Sequence, residues 1–351
     1  MRLPRIALPV AAWVAATVAY CAVAVAKGYS PLRPVTWARF DSYQYLTIAH
    51  RGYFVEHCHP PDQKELCGDA GWFPGYSWLI HALGWLGLPP MQTAAVVAWF
   101  FALATVVLIW EAVGRTASVA VAFAAFAPGR IYDYALFPLS LVTTFSLLHL
   151  LALLRDRTVI AAVAGFFAAL MYPAGLVLAV TSGAWLVLQR RYRDAVIVTT
   201  AVATAGGLIV FVQRLQTGHW DVYLRVQAHY HHRLQEPFGG VARAVRVVFE
   251  GFPFRIDAGP ALQTVLVTAV LIATTLAART RSDLLIVLFG VGTWLLAESL
   301  TAVSNSRDEA ALLPLAVLLP RVPRWLAAAL LACAVWLTVP MTELFLSSRL
   351  L

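Results

Sequence analysis

The sequence predicts an all-α polytopic membrane protein, and three observations carry that prediction. Sixty per cent of the 351 residues are hydrophobic and only 13% are charged, with a mean hydropathy of +0.73. A soluble domain runs nearer half apolar and a quarter charged, so a soluble or disordered chain is excluded. The apolar residues fall in long runs, and the cations fall between the runs as short clusters. The net charge of +8 therefore reads first as topology. A nucleic-acid partner would need a Lys/Arg-rich face, which this scatter does not supply. Of the 26 basic residues all but Lys27 and Lys64 are arginine, a bias expected of a GC-rich, bacterial genome.

The first run, residues 6–26, follows Arg2 and Arg5 and ends in Ala24-Val25-Ala26, in the manner of a cleavable signal. Its length of roughly 20 residues suits a ~30 Å hydrocarbon core better than a signal segment of about 7–15, so it is expected to be retained as the first helix. Further runs lie near 73–88, 91–113, 117–128, 134–154, 158–188, 195–213, 260–278, 284–303, 308–320 and 324–346. The clusters Arg2/Arg5, Arg115, Arg155/Arg157, Arg190/Arg191/Arg193, Arg279/Arg281 and Arg321/Arg324 mark the cytoplasmic side, where short loops retain cations.

Putting every cluster inside fixes the rest by parity. The stretch 72–90 contains Pro74, Gly75, Gly84, Gly87, Pro89 and Pro90, which break helices, so it is read as re-entrant or interfacial. The run 158–188 begins and ends at cytoplasmic clusters, and so becomes a hairpin of two short helices turning at Tyr172-Pro173-Ala174-Gly175. About eleven crossings result, in one integral membrane domain over 1–351. Two large extracytoplasmic loops are expected, at 27–90 and 216–258. The second is strongly basic, with five arginines and four histidines. Loops of this size translocate regardless of charge, or their basic groups hold a phosphate. No internal repeat is evident.

Cys21 and Cys333 lie in apolar runs and are expected to be packing residues. Cys58 and Cys67 lie in the first loop with two prolines between them, and an oxidising compartment predicts that they form a disulfide. A metal reading of His57-Cys58-His59 with Cys67 matches no zinc spacing, so no metal is expected.

Ionisable residues beside a bilayer are costly and tend to be functional, which directs attention to the start of the first loop. It reads Trp37-Ala38-Arg39-Phe40-Asp41-Ser42-Tyr43-Gln44-Tyr45-Leu46-Thr47-Ile48-Ala49-His50-Arg51-Gly52-Tyr53, and later Trp72-Phe73-Pro74-Gly75-Tyr76. These residues resemble the signature of the GT-C glycosyltransferase superfamily and, within it, of the GPI mannosyltransferase II (PIG-V-like) family. In that family the loop reads approximately R-[WF]-D-x-x-x-[YF]-x-x-I-A-x-x-G-Y and continues to F-F-P-x-Y-P. The motif-grade likeness covers about 37–76. More weakly, Met171-Tyr172-Pro173-Ala174-Gly175-Leu176 stands where the family has T-R-P-x-G-L, with Tyr172 in place of the arginine. Arg307-Asp308-Glu309 stands where it has R-Y. The family's Ser-Glu-Ser appears as Phe137-Pro138-Leu139-Ser140, without a carboxylate.

The resemblance implies an inverting transfer of a sugar, mannose in that family, from a polyprenyl or dolichyl phosphate carrier to a hydroxyl acceptor at the extracytoplasmic face. Such a displacement needs a base for the acceptor proton and cations for the leaving phosphate. It needs no nucleotide, and the lipid-phosphate sugar is a substrate, so no cofactor is expected. The partners implied are membrane lipids, the sugar carrier, and a glycan, lipid or protein acceptor. Asp41 matches the family's carboxylate and is the candidate base, while Asp41 followed by Gln44 also has the form of a helix N-cap opening 42–51. Arg39, Arg307 and His231-His232-Arg233 are phosphate candidates, or else headgroup anchors and solvated surface. Trp72 and Tyr76 line a substrate groove or serve as belt aromatics. Asp133 is expected to pair with Arg130.

A transporter or flippase of a lipid-linked substrate is the alternative from another class. It would show inverted repeats and several mid-span ionisable groups, whereas Glu298 is the main deep carboxylate. A catalytically silent scaffold is a third reading.

Overall fold

Within a bilayer an isolated segment can satisfy its backbone only through internal hydrogen bonds, so the apolar runs must become helices. The computed structural model describes residues 6–58, 66–114, 118–230, 234–251, 258–299 and 305–350, and there the runs are helical. The N-terminal part contains α1 (Ala7–Ala26), α2 (Ser42–Arg51), the strands β1 (Val55–His57) and β2 (Leu66–Gly68), α3 (Gly75–Gly84) and α4 (Pro90–Val113). The middle part contains α5 (Ser118–Phe126), α6 (Ile131–Tyr134), α7 (Leu139–Leu154), α8 (Thr158–Met171), α9 (Val177–Leu188) and α10 (Tyr192–Thr217). After these come α11 (Val222–His229), α12 (Pro237–Gly251), α13 (Gly259–Ala277), α14 (Arg281–Ser299), α15 (Asn305–Glu309) and α16 (Arg324–Leu346). The cation clusters at Arg2/Arg5 and Arg115 lie outside the described residues.

The chain is thus an all-α, multi-pass membrane protein. Six helices, α1, α4, α10, α13, α14 and α16, are long and apolar enough to cross a membrane. The other five runs expected to cross are shorter, for local reasons. Pro138 delays the start of α7, and Pro173 separates α8 from α9 with a single 3₁₀ turn, Pro173–Leu176. The run before α16 is a 3₁₀ helix, Ala310–Arg321, because Pro314 and Pro320 cannot donate the bonds an α-helix requires. Its higher rise of about 2.0 Å per residue carries twelve residues roughly 24 Å, against about 18 Å for an α-helix.

Close approaches occur where side chains are smallest. α7 packs along α8, and α8 and α9 along α10. A Cβ on Gly165 would meet the buried His149 ring at 2.7 Å. His149 bridges three helices, with Nδ1 2.7 Å from Ala161 O and Nε2 2.8 Å from Ser182 Oγ. Arg130 and Asp133 form an ion pair with both side chains 1% exposed, and Arg130 also donates to Ala102 O at 2.9 Å.

Outside the long helices, α2 and α3 pack on each other. Ser77 Oγ donates to Tyr45 O at 2.8 Å, and His81 Nδ1 lies 2.9 Å from Ala49 O. The ten residues of α3 span only about 15 Å. β1 and β2 form an antiparallel hairpin with Glu56 opposite Cys67, joined by the Cys58–Cys67 disulfide.

Candidate functional site

Gly52 and three glutamines hold the first polar segment against the bundle. Gly52 takes φ 77°, a left-handed conformation that ends α2 and lets Gln216 come close enough to accept from Tyr53 N at 2.6 Å. Gln213 donates to Ala70 O at 2.9 Å and Gln227, from α11, to Gly71 O at 2.6 Å. The segment 69–73 is thereby pinned between α10 and α11.

Opposite it, Phe40 adopts φ 49°, a strained value for a non-glycine residue, and packs edge-on to Phe345 at 5.6 Å. That kink places Asp41 at the head of α2 without capping it. The carboxylate makes no cap hydrogen bond and turns instead to Arg307 in the middle of α15. The N-cap reading of Asp41 is therefore replaced by an ion pair.

A cavity of about 400 Å³ opens here. Its walls come from Asp41 and the α2 residue Tyr45, the segment Gly71–Phe73, the turn Tyr172–Ala174, α11 (Tyr223, Gln227), α14 (Thr293, Leu296, Ala297) and α15 (Arg307, Asp308). Arg307 is the hub. It donates to Asp41 Oδ2 and, through Nε, to Tyr172 Oη at 3.0 Å, while Tyr172 Oη donates to Asp308 Oδ1. Its guanidinium also lies 5.7 Å from the Phe137 ring. The Arg307 and Asp41 side chains are 12% and 24% exposed, so both face the cavity without being sealed. Thr293 Oγ1 is buried and has no hydrogen-bond partner among the described residues.

The aromatic wall is ordered by edge contacts, Trp72 on Tyr230 at 5.4 Å and Phe73 on Tyr223 at 5.6 Å. Burial pushes the Tyr45 hydroxyl well above its usual value and that of Tyr223 up to about 12. These phenols stay protonated at neutral pH. Rings that present faces, hydroxyls that donate or accept, and one paired arginine suit a polar, ring-shaped ligand bearing an anion.

The sequence candidates divide. Asp41, Arg307 and Trp72 meet at the cavity. Tyr76 does not line it; the residue is 0% exposed and its hydroxyl donates to Ala94 O at 2.8 Å, joining α3 to α4. Arg39 points away, its guanidinium 5.3 Å from the Tyr29 ring. His231, His232 and Arg233 lie outside the described residues. Cys58 and Cys67 stand apart from the cavity, with His229 across the bond, Nδ1 3.4 Å from one sulfur and Nε2 3.4 Å from the other. Tyr45, Asp308, Tyr223, Tyr230 and Thr293 also line the cavity, and the sequence assigns none of them a role there. Asp308 carries the clearest sequence signal of the five, since it adjoins the phosphate candidate Arg307.

Fold and cavity together define a helical, multi-pass membrane protein with an aromatic-walled site built where its interhelical segments converge. No protein-family model matches the chain, and no curated protein matches it by sequence. Among solved structures it is similar to the crystal structure of ArnT from Cupriavidus metallidurans in the apo state, with a TM-score of 0.48 and 19% identity, over 89% of this chain and 61% of that one. The chain thus spans less than two thirds of the length of that protein.

Proposed function

We propose that the protein is a membrane glycosyltransferase of the GT-C type that moves a sugar, mannose by the loop motif, from a polyprenyl-phosphate carrier to a hydroxyl acceptor at the extracytoplasmic membrane face. The observation that carries this reading is the gathering of Asp41, Tyr172 and Asp308 around Arg307 at the wall of the cavity. In this reading Asp41 takes the acceptor proton as the acceptor oxygen attacks the anomeric carbon, and the carrier phosphate leaves from the opposite face with inversion. Arg307 offers the leaving phosphate a fixed cation, oriented by Tyr172. Asp41 has to be released from Arg307 for this to happen, and an incoming phosphate is the group that can exchange with it. Trp72, Tyr223 and Tyr230 would pack on the C–H faces of the sugar and exclude water.

The 27–90 and 216–258 segments belong, in this proposal, to the same extracytoplasmic side as the cavity they enclose, in the plasma membrane of a bacterium. Membranes with and without the protein, given radiolabelled polyprenyl-phosphate mannose, test the donor. Protein-dependent label in a glycan, lipid or protein acceptor is the expected result. Transfer only from carriers of other sugars refutes mannose, and transfer from no carrier refutes the enzyme.

A further inference from the structure

α12 lies behind the cavity wall and presents three different faces. At about 100° per residue, Gly240, Ala244 and Gly251 share one side of the helix. Ala244 and Gly251 are buried, and α12 packs on α13 and α14 closely enough that a Cβ on Gly240 would lie 2.7 Å from Glu298 Oε2. On roughly the opposite side run Phe238, Ala242 and Phe249, all exposed, Phe238 at 71% and Phe249 at 85%. Between these sides lie Arg243 and Arg246, both exposed. Packing accounts for the first face and water for the third. Neither accounts for a bare aromatic stripe, which marks a surface that meets something apolar.

One contact fixes how deep the stripe lies. The Phe238 ring is 5.8 Å from that of Trp294, a buried residue of α14 whose Nε1 donates to Thr268 Oγ1 of α13 at 3.0 Å. α14 has 19 residues and is one of the helices able to cross a membrane. Its length of about 28 Å nearly matches a ~30 Å core, so its ends fall at the core boundaries. Trp294 precedes the last residue, Ser299, by about 7.5 Å of helix axis. Helices that lie in a membrane interface bury their apolar faces by about 5–10 Å, so Phe238 sits at the depth such a helix requires. Gln235 N donates to Ser299 O at 2.8 Å, which ties the chain before α12 to the same boundary.

We propose that α12 docks on the bilayer leaflet at the Ser299 end of α14, with Phe238 and Phe249 against acyl chains and Arg243 and Arg246 on the phosphodiester of an anionic phospholipid. Two arginines three residues apart in a helix are neighbours and together offer the donors and charge that a phosphate takes, while Glu250 is the one carboxylate of the helix. Lipid would then support α14 from behind. Trp294 and Glu298 meet α12, whereas Thr293, Leu296 and Ala297 line the cavity, so docking holds that wall in place. The surface stands independently of which substrate the cavity takes.

The full chain in phosphatidylcholine nanodiscs, doped with a phospholipid bearing a diazirine in its acyl chain, is photolysed and the carbene adducts are mapped by mass spectrometry. The probe carries either a phosphatidylglycerol or a phosphatidylcholine headgroup. Adducts are expected in 237–251 as well as on α8 and α9, and those on α12 should be about threefold or more abundant from phosphatidylglycerol. Phe249→Ser, at an exposed position, should lower the α12 adducts about threefold with those on α8 and α9 unchanged. Arg243→Gln together with Arg246→Gln should make the two probes equivalent. A 237–251 segment free of adducts while α8 and α9 are labelled overturns the proposal, and means that water, a second copy of the chain or another protein covers the stripe. Equal labelling of wild-type α12 by both probes overturns the arginine contact with the phosphodiester. Adducts on α12 that no substitution alters overturn the assignment to these residues.

Discussion

Replacing Asp41 by asparagine keeps the shape of the side chain and removes its charge, which separates the ion pair seen in the structure from the proposed role as base. In the resting structure the carboxylate neutralises Arg307, the cation that the proposed mechanism offers to the donor phosphate. Two unit charges about 4 Å apart interact by roughly 4 kcal/mol at an effective dielectric of about 20. The pair is partly exposed, at 24% and 12%, and solvent screening reduces the usable part to about 1–2 kcal/mol. With that competition removed, a polyprenyl phosphate should bind Asp41→Asn about 5- to 30-fold more tightly than the wild type. Sugar transfer by the same variant should fall about 10²- to 10⁴-fold, the usual contribution of a general base. Binding is read by the change in intrinsic tryptophan fluorescence in detergent, and transfer by single-turnover assay with labelled donor. A variant that transfers within tenfold of the wild type refutes Asp41 as base. One that binds the phosphate no more tightly refutes the exchange at Arg307. Arg307→Gln serves as the reference: it should lose phosphate binding whether or not Asp41 is present, and unchanged binding would remove Arg307 from the donor site.

Three further outcomes follow from the geometry. Tyr172→Phe deletes the hydroxyl that links Arg307 to Asp308, and should cost transfer about 10- to 100-fold with the unfolding midpoint unchanged; equal activity would show that Arg307 is oriented without it. Reducing the Cys58–Cys67 bond, or replacing both residues by serine, should destabilise the 55–68 hairpin by about 2–3 kcal/mol, read as faster proteolysis within it. Gly75→Ala puts a Cβ 2.6 Å from the Leu170 carbonyl, a backbone atom that cannot swing aside, and should cost about 1–3 kcal/mol. A wild-type midpoint for that variant would mean that α3 sits less tightly on the end of α8.

The extent to which this was readable beforehand differs from residue to residue. Helices and their breaks follow from hydropathy and proline, so the 158–188 hairpin with its turn at Tyr172–Gly175 is evident in the chain itself. Asp41 stands out because a carboxylate, aromatics and a glycine recur at fixed spacing within one segment. Its partner Arg307 lies 266 residues away, a separation across which spacing carries no information. Tyr223 and Tyr230 look like ordinary loop aromatics until α11 folds over Trp72 and Phe73. Tyr76 shows the reverse: it lies in the same motif as Trp72, but the start of α3 at Gly75 turns it toward α4. Arg39, two residues from Asp41, faces Tyr29 because the left-handed kink at Phe40 lies between them.

The short helices on one flank of the bundle bear on the surrounding lipid. α8 and α9 have 14 and 12 residues, so their axes are only about 21 and 18 Å long. Both expose apolar side chains, among them Val159, Val163, Val180 and Leu188. A bilayer with a ~30 Å core has to thin where it meets this flank, at a fraction of a kcal/mol per ångström. The protein therefore favours thin membranes. Reconstitution into lipids of increasing acyl length should depress its stability steadily, independently of any substrate, and the annulus beside α8 and α9 is where the headgroups of the two leaflets come closest together.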